Sequence, residues 1–529
     1  MARLLHELIL EQADRHPAAP AIVHRQATLD YATLAEQIQA TAFGLLACGL
    51  NRAERVAVYL PKRLETVVAL FGTALAGGVF VPINPLLKPE QVAYILRDCN
   101  VRVLVTTRDR ADPLEPRLAD CPDLHTLVLL DETITPQYRH HFQTLGWPAL
   151  LIAAEVRPPS RVIDVDMAAI LYTSGSTGKP KGVVLSHRNM LTGARSVAEY
   201  LGNRSDDRIL AVLPFSFDYG LSQLTTAFVA GARAVLMDYL LPRDVIATVV
   251  REGITGLAAV PPMWVQLAQL NWPTVAADSL RYLTNSGGAM PRATLVALRR
   301  ALPKTTPFLM YGLTEAFRST YLPPEEIDRR PDSIGKAIPN AEVMVVREDG
   351  TPCAPGEPGE LVHRGSLVAL GYWNDPAKTA ERFRPVPDQN PGLPLLELAV
   401  WSGDTARMDE EGFLYFIGRK DDMIKTSGYR VSPTEIEEVL YGSGQLAEAA
   451  ALGIPHPGLG QAVVAVVKPL RDDLNEIELI NHCKRHLPNF MVPLQVVARQ
   501  ADLPRNPNGK IDRKSLVEEL RNLFPEPVS

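Results

Sequence analysis

Residues 171–187 read LYTSGSTGKPKGVVLSH. Small hydroxyl residues, glycines and two lysines stand between two apolar runs. Such a loop suits a phosphate: hydroxyls and backbone N–H groups surround it, and a lysine supplies charge. The phosphate loop of ordinary ATPases reads G-x-x-x-x-G-K-[ST] and opens directly into a helix. Here Thr173, not Gly, stands five positions before Gly178, and Lys179 is followed by Pro180. The trailing VVLS is β-branched and favours a strand. The segment therefore predicts strand, loop, strand, with the next helix beginning near Ser186. Thr173, Ser174, Ser176 and Thr177 offer hydroxyls, Gly175 and Gly178 let the backbone close in, and Lys179 brings charge. The alternative is a flexible Gly/Ser linker, but linkers seldom carry two lysines between apolar strands.

Around this loop the chain has 529 residues, more than one hydrophobic core sustains. At least two domains are expected. Composition is that of a globular protein, 46% hydrophobic and 22% charged, with net charge −6. No basic stripe suggests nucleic acid as a partner. Cys48, Cys99, Cys121, Cys353 and Cys483 are scattered, with no CxxC pair, which fits a reducing cytoplasm. The N-terminal MARLLHELILEQADRHP is broken by Glu7, Glu11 and Asp14, so it reads as an amphipathic helix and not a signal peptide. The apolar run 67–83 is short for a membrane span and contains three glycines. It reads as a buried helix ending at Gly77-Gly78, then a strand.

Up to about residue 400 the pattern alternates helices with short apolar runs such as RVAVYLP, VFVPIN and VRVLVTT. That is the signature of α/β layers with mostly parallel sheets. From about 340 to 416, short alternating strands suggest a small β subdomain. The charged, Gly-rich GRKDDMIKTSGYRVSP then reads as a hinge before a compact α+β domain. Gly442, Gly444 and Ala447 formally satisfy G-x-G-x-x-A but follow a helix, which argues against a dinucleotide fold.

YTSGSTGKPKGV resembles the phosphate loop of the adenylate-forming superfamily: AMP-forming acyl-CoA synthetases, adenylation domains of non-ribosomal peptide synthetases, and luciferases. Further blocks follow in the family's order: MYGLTEA (310–316), GEPGELVHRG (356–365), WSGDTA (401–406), GRKDDMIKTSGYRVSPTEIE (418–437) and LPRNPNGKIDR (503–513). The chain is also loosely similar to the ligases found with exosortase gene sets.

The resemblance implies an α/β fold with an AMP- and acid-binding domain over 1–418, built of layered βα sheets and a small β subdomain. A small mobile α+β domain over 419–529 would follow. It implies a two-step reaction in which a carboxylate attacks the α-phosphorus of MgATP and a thiol, of CoA or a carrier's phosphopantetheine, then displaces AMP. Glu315 would hold magnesium and Thr314 bond a phosphate. Tyr311 would stack on adenine beside Gly312, with Gly287, Gly288 and Ala289 allowing close backbone approach. Asp404 would accept the ribose hydroxyls, Arg419 would add a ribose or phosphate contact, and Lys510 would be the catalytic lysine of the first step. Asp421 matches the hinge; Gly428 and Lys425 would line the thiol tunnel.

The acid pocket would be walled by Phe217, Asp218, Tyr219, Ser222, Val260, Thr284, Ser286, Met310 and Arg318. Phe217-Asp218 resembles amino-acid-activating members, where the matching Asp grips an α-ammonium. An acid without an amino group would then leave Asp218 buried and unpaired. Alternatively, Asp218 caps a helix beginning at Tyr219. Arg318 would meet an anionic or carbonyl substrate tail, or pair with Glu325 or Glu326. No carrier attachment segment follows Lys510, so any carrier would act in trans. The reading is thus an acid–thiol ligase, with an amino acid:carrier-protein ligase as alternative. A phosphate-releasing ATPase, or a non-catalytic nucleotide-binding protein, is the rival from a different class.

Overall fold

In the computed structural model, strands Met167–Thr173 and Lys181–Ser186 pair antiparallel, with Thr173 opposite Lys181. The described residues are 2–131, 142–152, 161–173, 180–390, 392, 394–419, 422–426, 429–457, 459–507 and 509–524. The expected loop positions Ser174 to Lys179 lie outside them, as do Asp421 and Gly428. The strand–loop–strand reading holds at both ends. Helix His187–Tyr200 follows at once, closed by a reciprocal cap. Ser186 Oγ accepts from the Asn189 N–H at 3.1 Å, and Asn189 Oδ1 accepts from the Ser186 N–H at 2.8 Å.

These two strands belong to an eight-stranded sheet. Its parallel part runs through Met167–Thr173, Val79–Pro82, Arg55–Tyr59, Val101–Thr106, Thr126–Leu129 and Gln143–Gly146. Helix Tyr31–Ala47 starts where the Asp30 carboxylate accepts the Thr33 N–H at 2.8 Å, and its Leu34, Ile38 and Leu45 are buried. Helix Leu64–Leu75 is buried from Thr66 to Ala74, and Val79–Pro82 follows as a buried strand. The 67–83 run is therefore core. No helix among the described residues is long and apolar enough to cross a membrane.

A fourteen-stranded sheet carries the second parallel run: Thr306–Tyr311, Tyr282–Asn285, Gly256–Ala259, Arg208–Ala211, Arg233–Leu236 and Pro20–His24. The expected small β subdomain is hydrogen-bonded into this same sheet. Strand Ser333–Ala337 pairs with Thr320–Leu322 on one side and Leu414–Arg419 on the other. A third, five-stranded sheet contains Leu446–His456, Gly460–Pro469 and Gln495–Ala498, with helices Pro433–Gly442 and Glu476–His486 packed beside it.

Candidate active site

Loops at the carboxyl ends of parallel strands are where open α/β sheets bind ligands. Here those loops and the helical turns they open carry Phe217 to Tyr219, Val260, Ser286 to Ala289, and Gly312 to Glu315. Asp404 reaches the same region from the antiparallel strand Leu398–Met408, and Lys510 from the far end of the chain.

Asp404 is buried and bound at both oxygens. The Tyr311 hydroxyl donates to Oδ2 at 2.5 Å, and Arg419 Nε donates to Oδ1 at 2.9 Å. Burial pushes this carboxyl above its ordinary value, while Arg419 and Tyr311 pull it back. Asp404 in turn holds the Arg419 guanidinium above its usual range. The Tyr311 ring stacks on His363, with centroids 5.9 Å apart.

Glu315 is the middle residue of a single 3₁₀ turn, Thr314–Ala316. One of its oxygens accepts the Tyr372 hydroxyl at 2.6 Å, and the Lys181 ammonium lies 5.3 Å from the Tyr372 ring centre. Among the described residues no three His, Cys, Asp or Glu side chains cluster as a metal cage. A lone carboxylate with one oxygen engaged fits magnesium, which usually keeps waters and substrate phosphates as its other ligands.

Lys510 is half-buried, and its ammonium lies 5.6 Å from the Phe217 ring centre. Burial lowers its pKa; Asp218, Asp404 and Glu315 support the charge and Arg419 opposes it. A turn fixes it: Asn506 Oδ1 accepts the Lys510 N–H at 3.1 Å, and Asn506 N–H donates to the Lys510 carbonyl at 2.8 Å. Gly287 has φ +83°, and a Cβ there would lie 2.9 Å from Lys510 Cε. Only glycine accommodates both that backbone and that close approach.

Asp218, Tyr219, Ser222, Val260, Thr284, Ser286, Met310 and Arg318 are all buried, as is Phe217. Tyr219 and Thr284 share a 2.5 Å hydroxyl bond, and the Tyr200 hydroxyl donates to Met310 Sδ at 2.9 Å. Two of the alternatives read from the sequence are corrected. Asp218 is the first residue of helix Asp218–Ala230, which has no side-chain cap, so it does not cap a helix beginning at Tyr219. Glu326 binds Arg330 and Arg329 while Arg318 is buried, so the Arg318–Glu326 pair does not form. Nor is Asp218 isolated. Burial raises its pKa, countered first by the charge of Arg318 and then by that of Lys510, and the Thr314 hydroxyl lies at 3.4 Å.

Gly288 and Ala289 are exposed at the rim. Lys425 is exposed on strand Ile424–Thr426, and none of its described contacts joins it to the groups around Lys510. Tyr372, Tyr200 and Lys181 were not singled out from the sequence. Lys181 stood in the quoted loop motif, and Tyr372 in a GYW triplet closely following the GELVHRG block.

Comparison with known proteins gives the class: an AMP-forming ligase that joins an acid to a thiol. The chain belongs to the AMP-binding enzyme family, whose model matches residues 9–373, with the model of the family's C-terminal domain matching 435–510. It is 31% identical to a long-chain-fatty-acid–CoA ligase of Salmonella typhimurium, over 98% of this chain and 94% of that one. It is 30% identical to an L-proline–[L-prolyl-carrier protein] ligase of Pseudomonas fluorescens, over 98% and 99%. The crystal structure of ATP-bound MatB from Rhodopseudomonas palustris matches with a TM-score of 0.84 at 26% identity, covering 98% and 99%.

Proposed function

We propose that this chain couples a carboxylic acid to ATP, forming acyl-adenylate and pyrophosphate, then passes the acyl group to the thiol of CoA or of a carrier protein. The observation that carries this reading is the Lys510 ammonium, desolvated and set among Asp218, Asp404 and Glu315. The first step requires no protein nucleophile, only positioning and charge neutralisation. Asp404 receives the ribose hydroxyls, and the Tyr311 ring offers adenine a stacking face. Thr314 and the 173–179 loop take the phosphates. Glu315 would hold magnesium, which supplies neutralisation of the phosphate charge. Lys510 bridges the reacting carboxylate and the α-phosphate as charge builds between them. Removing one such donor from a desolvated site costs roughly 2.7–4 kcal/mol, or about 10²–10³ in rate.

For the second step we propose that the unit following residue 418 swings about Asp421, withdrawing Lys510 and bringing Gly428 and Lys425 toward the thiol path. The exposed position of Lys425 fits an arrangement set for the first step. An amino acid:carrier-protein ligase is the second reading, favoured by the buried Asp218 carboxylate. Five cysteines outside any disulfide fit a reducing compartment, and we place the enzyme in the cytoplasm.

Lys510→Ala tests the central role. It is expected to lower acid-dependent ATP–pyrophosphate exchange by about 10² or more while sparing thioester formation from supplied acyl-AMP. Unchanged exchange would remove Lys510 from the mechanism.

A further inference from the structure

Arg318 is 2% exposed. Its Nε–H is buried without an acceptor, and no hydrogen bond or ion pair among the described residues reaches its guanidinium. What it touches is a ring: the guanidinium lies 4.3 Å from the Tyr219 centroid. Neighbouring polar tips are already satisfied, Tyr219 by Thr284 and Tyr200 by Met310. Asp218 faces Arg318 electrostatically, but the two are not in ion-pair contact, and Asp218 also faces Lys510. A guanidinium does not shed its proton to escape burial. Left in this state it lacks the acceptors that buried charges ordinarily find.

The backbone places it there at a cost. Phe317 has φ +51° and ψ −48°, and the Arg318 N–H donates back to the Ala316 carbonyl at 2.6 Å. That is the rare positive-φ γ-turn, strained for a bulky residue. The buried Phe317 ring wedges against Gly193, where a Cβ would lie 2.2 Å from it, so packing enforces the turn. The turn ends immediately at Arg318, which it delivers to the face of the Tyr219 ring.

We propose that Arg318 receives a second anionic group of the substrate, so that the acid activated here carries two carboxylates. This rests on the ligase reading above. Lys510 would meet the reacting carboxylate, and Arg318 would take the distal one by charge-assisted, bidentate bonding over the Tyr219 ring. A plain alkyl or aryl acid would leave the buried Nε–H without an acceptor, which is the kind of defect that rejects the wrong substrate most strongly.

The test uses the full-length protein and matched acids: butanoate with succinate, hexanoate with adipate, benzoate with isophthalate. Acid-dependent AMP formation should favour one diacid over its monoacid by about tenfold or more in kcat/KM. Arg318→Met should bring that ratio close to one, and Arg318→Lys should restore part of it. Calorimetric binding of the same pairs to the wild type, with a non-hydrolysable ATP analogue, should show the same preference without relying on a variant's folding. AMP formed equally well from both members of every pair would overturn the assignment. So would Arg318→Met lowering both members by one factor, binding without diacid preference, or an α-amino monoacid proving the best substrate. Diacid-selective binding with ADP and phosphate as products would instead sink the ligase reading and leave Arg318 its anion.

Discussion

An ammonium set against three carboxylates gains charge from its neighbours and loses it to burial, and at Lys510 burial is the larger influence. At Asp404 burial also dominates, pushing the carboxyl the other way. In the proposed first step both groups act in their ionised forms. Rising pH therefore switches Asp404 on at a value above the ordinary 3.8, then switches Lys510 off below the ordinary 10.5. The pH profile of kcat/KM for acid-dependent pyrophosphate exchange, which reports the free enzyme, should be bell-shaped with both limbs drawn inward. Limbs at the ordinary values would contradict the desolvated site. The sequence offered Lys510, Glu315 and Asp404 as candidates because each sits in a motif block, and the blocks follow in a fixed order. For Arg318 the sequence left two readings open, a substrate tail or a pairing with Glu325 or Glu326: its lack of partners depends on where Glu326 and Asp218 go, and that is decided by packing between distant segments.

Strand Ser333–Ala337 joins the parallel sheet to the β unit that carries Asp404 and Arg419. Its pairing with Leu414–Arg419 links residues about eighty positions apart, such as Ser333 and Tyr415. Local alternation showed the strands as a small β subdomain but not this partner, which joins them to the parallel sheet. Gly335 sits at the junction with φ +86°, and a Cβ there would lie 1.8 Å from the Tyr321 carbonyl oxygen. Backbone cannot yield that much room. Gly335→Ala should destabilise the protein by roughly 3 kcal/mol or more, read as a lowered thermal midpoint. A midpoint equal to wild type would mean that this strand does not tie the two halves as described. The loop-bearing strands were easier to read, since Pro180 and VVLS are local features that exclude a helix after the loop.

Across the whole molecule, helix Pro433–Gly442 packs against helix Arg292–Ala301, strand Leu446–His456 meets helix Pro261–Ala268, and polar contacts besides Lys510 add to this seam. Asn84 Nδ2 donates to the Pro507 carbonyl at 2.6 Å, and the Arg292 N–H donates to Glu438 Oε1 at 3.0 Å. Single hydrogen bonds of this kind contribute about 0.5–1.5 kcal/mol each. An interface so held can re-form between steps, as the proposed swing about Asp421 requires. The order of the motif blocks along the chain indicated the two steps. That Lys510 stands with Asp218, Glu315 and Asp404 in one arrangement is a property of the folded molecule alone. The account's central claim is that a carboxylate oxygen attacks the α-phosphorus. An accepted acid labelled with ¹⁸O in its carboxylate tests it directly, with both nucleotide and phosphate products analysed by mass spectrometry. The account predicts AMP carrying one labelled oxygen and unlabelled pyrophosphate; ADP with phosphate, or AMP free of label, would contradict it.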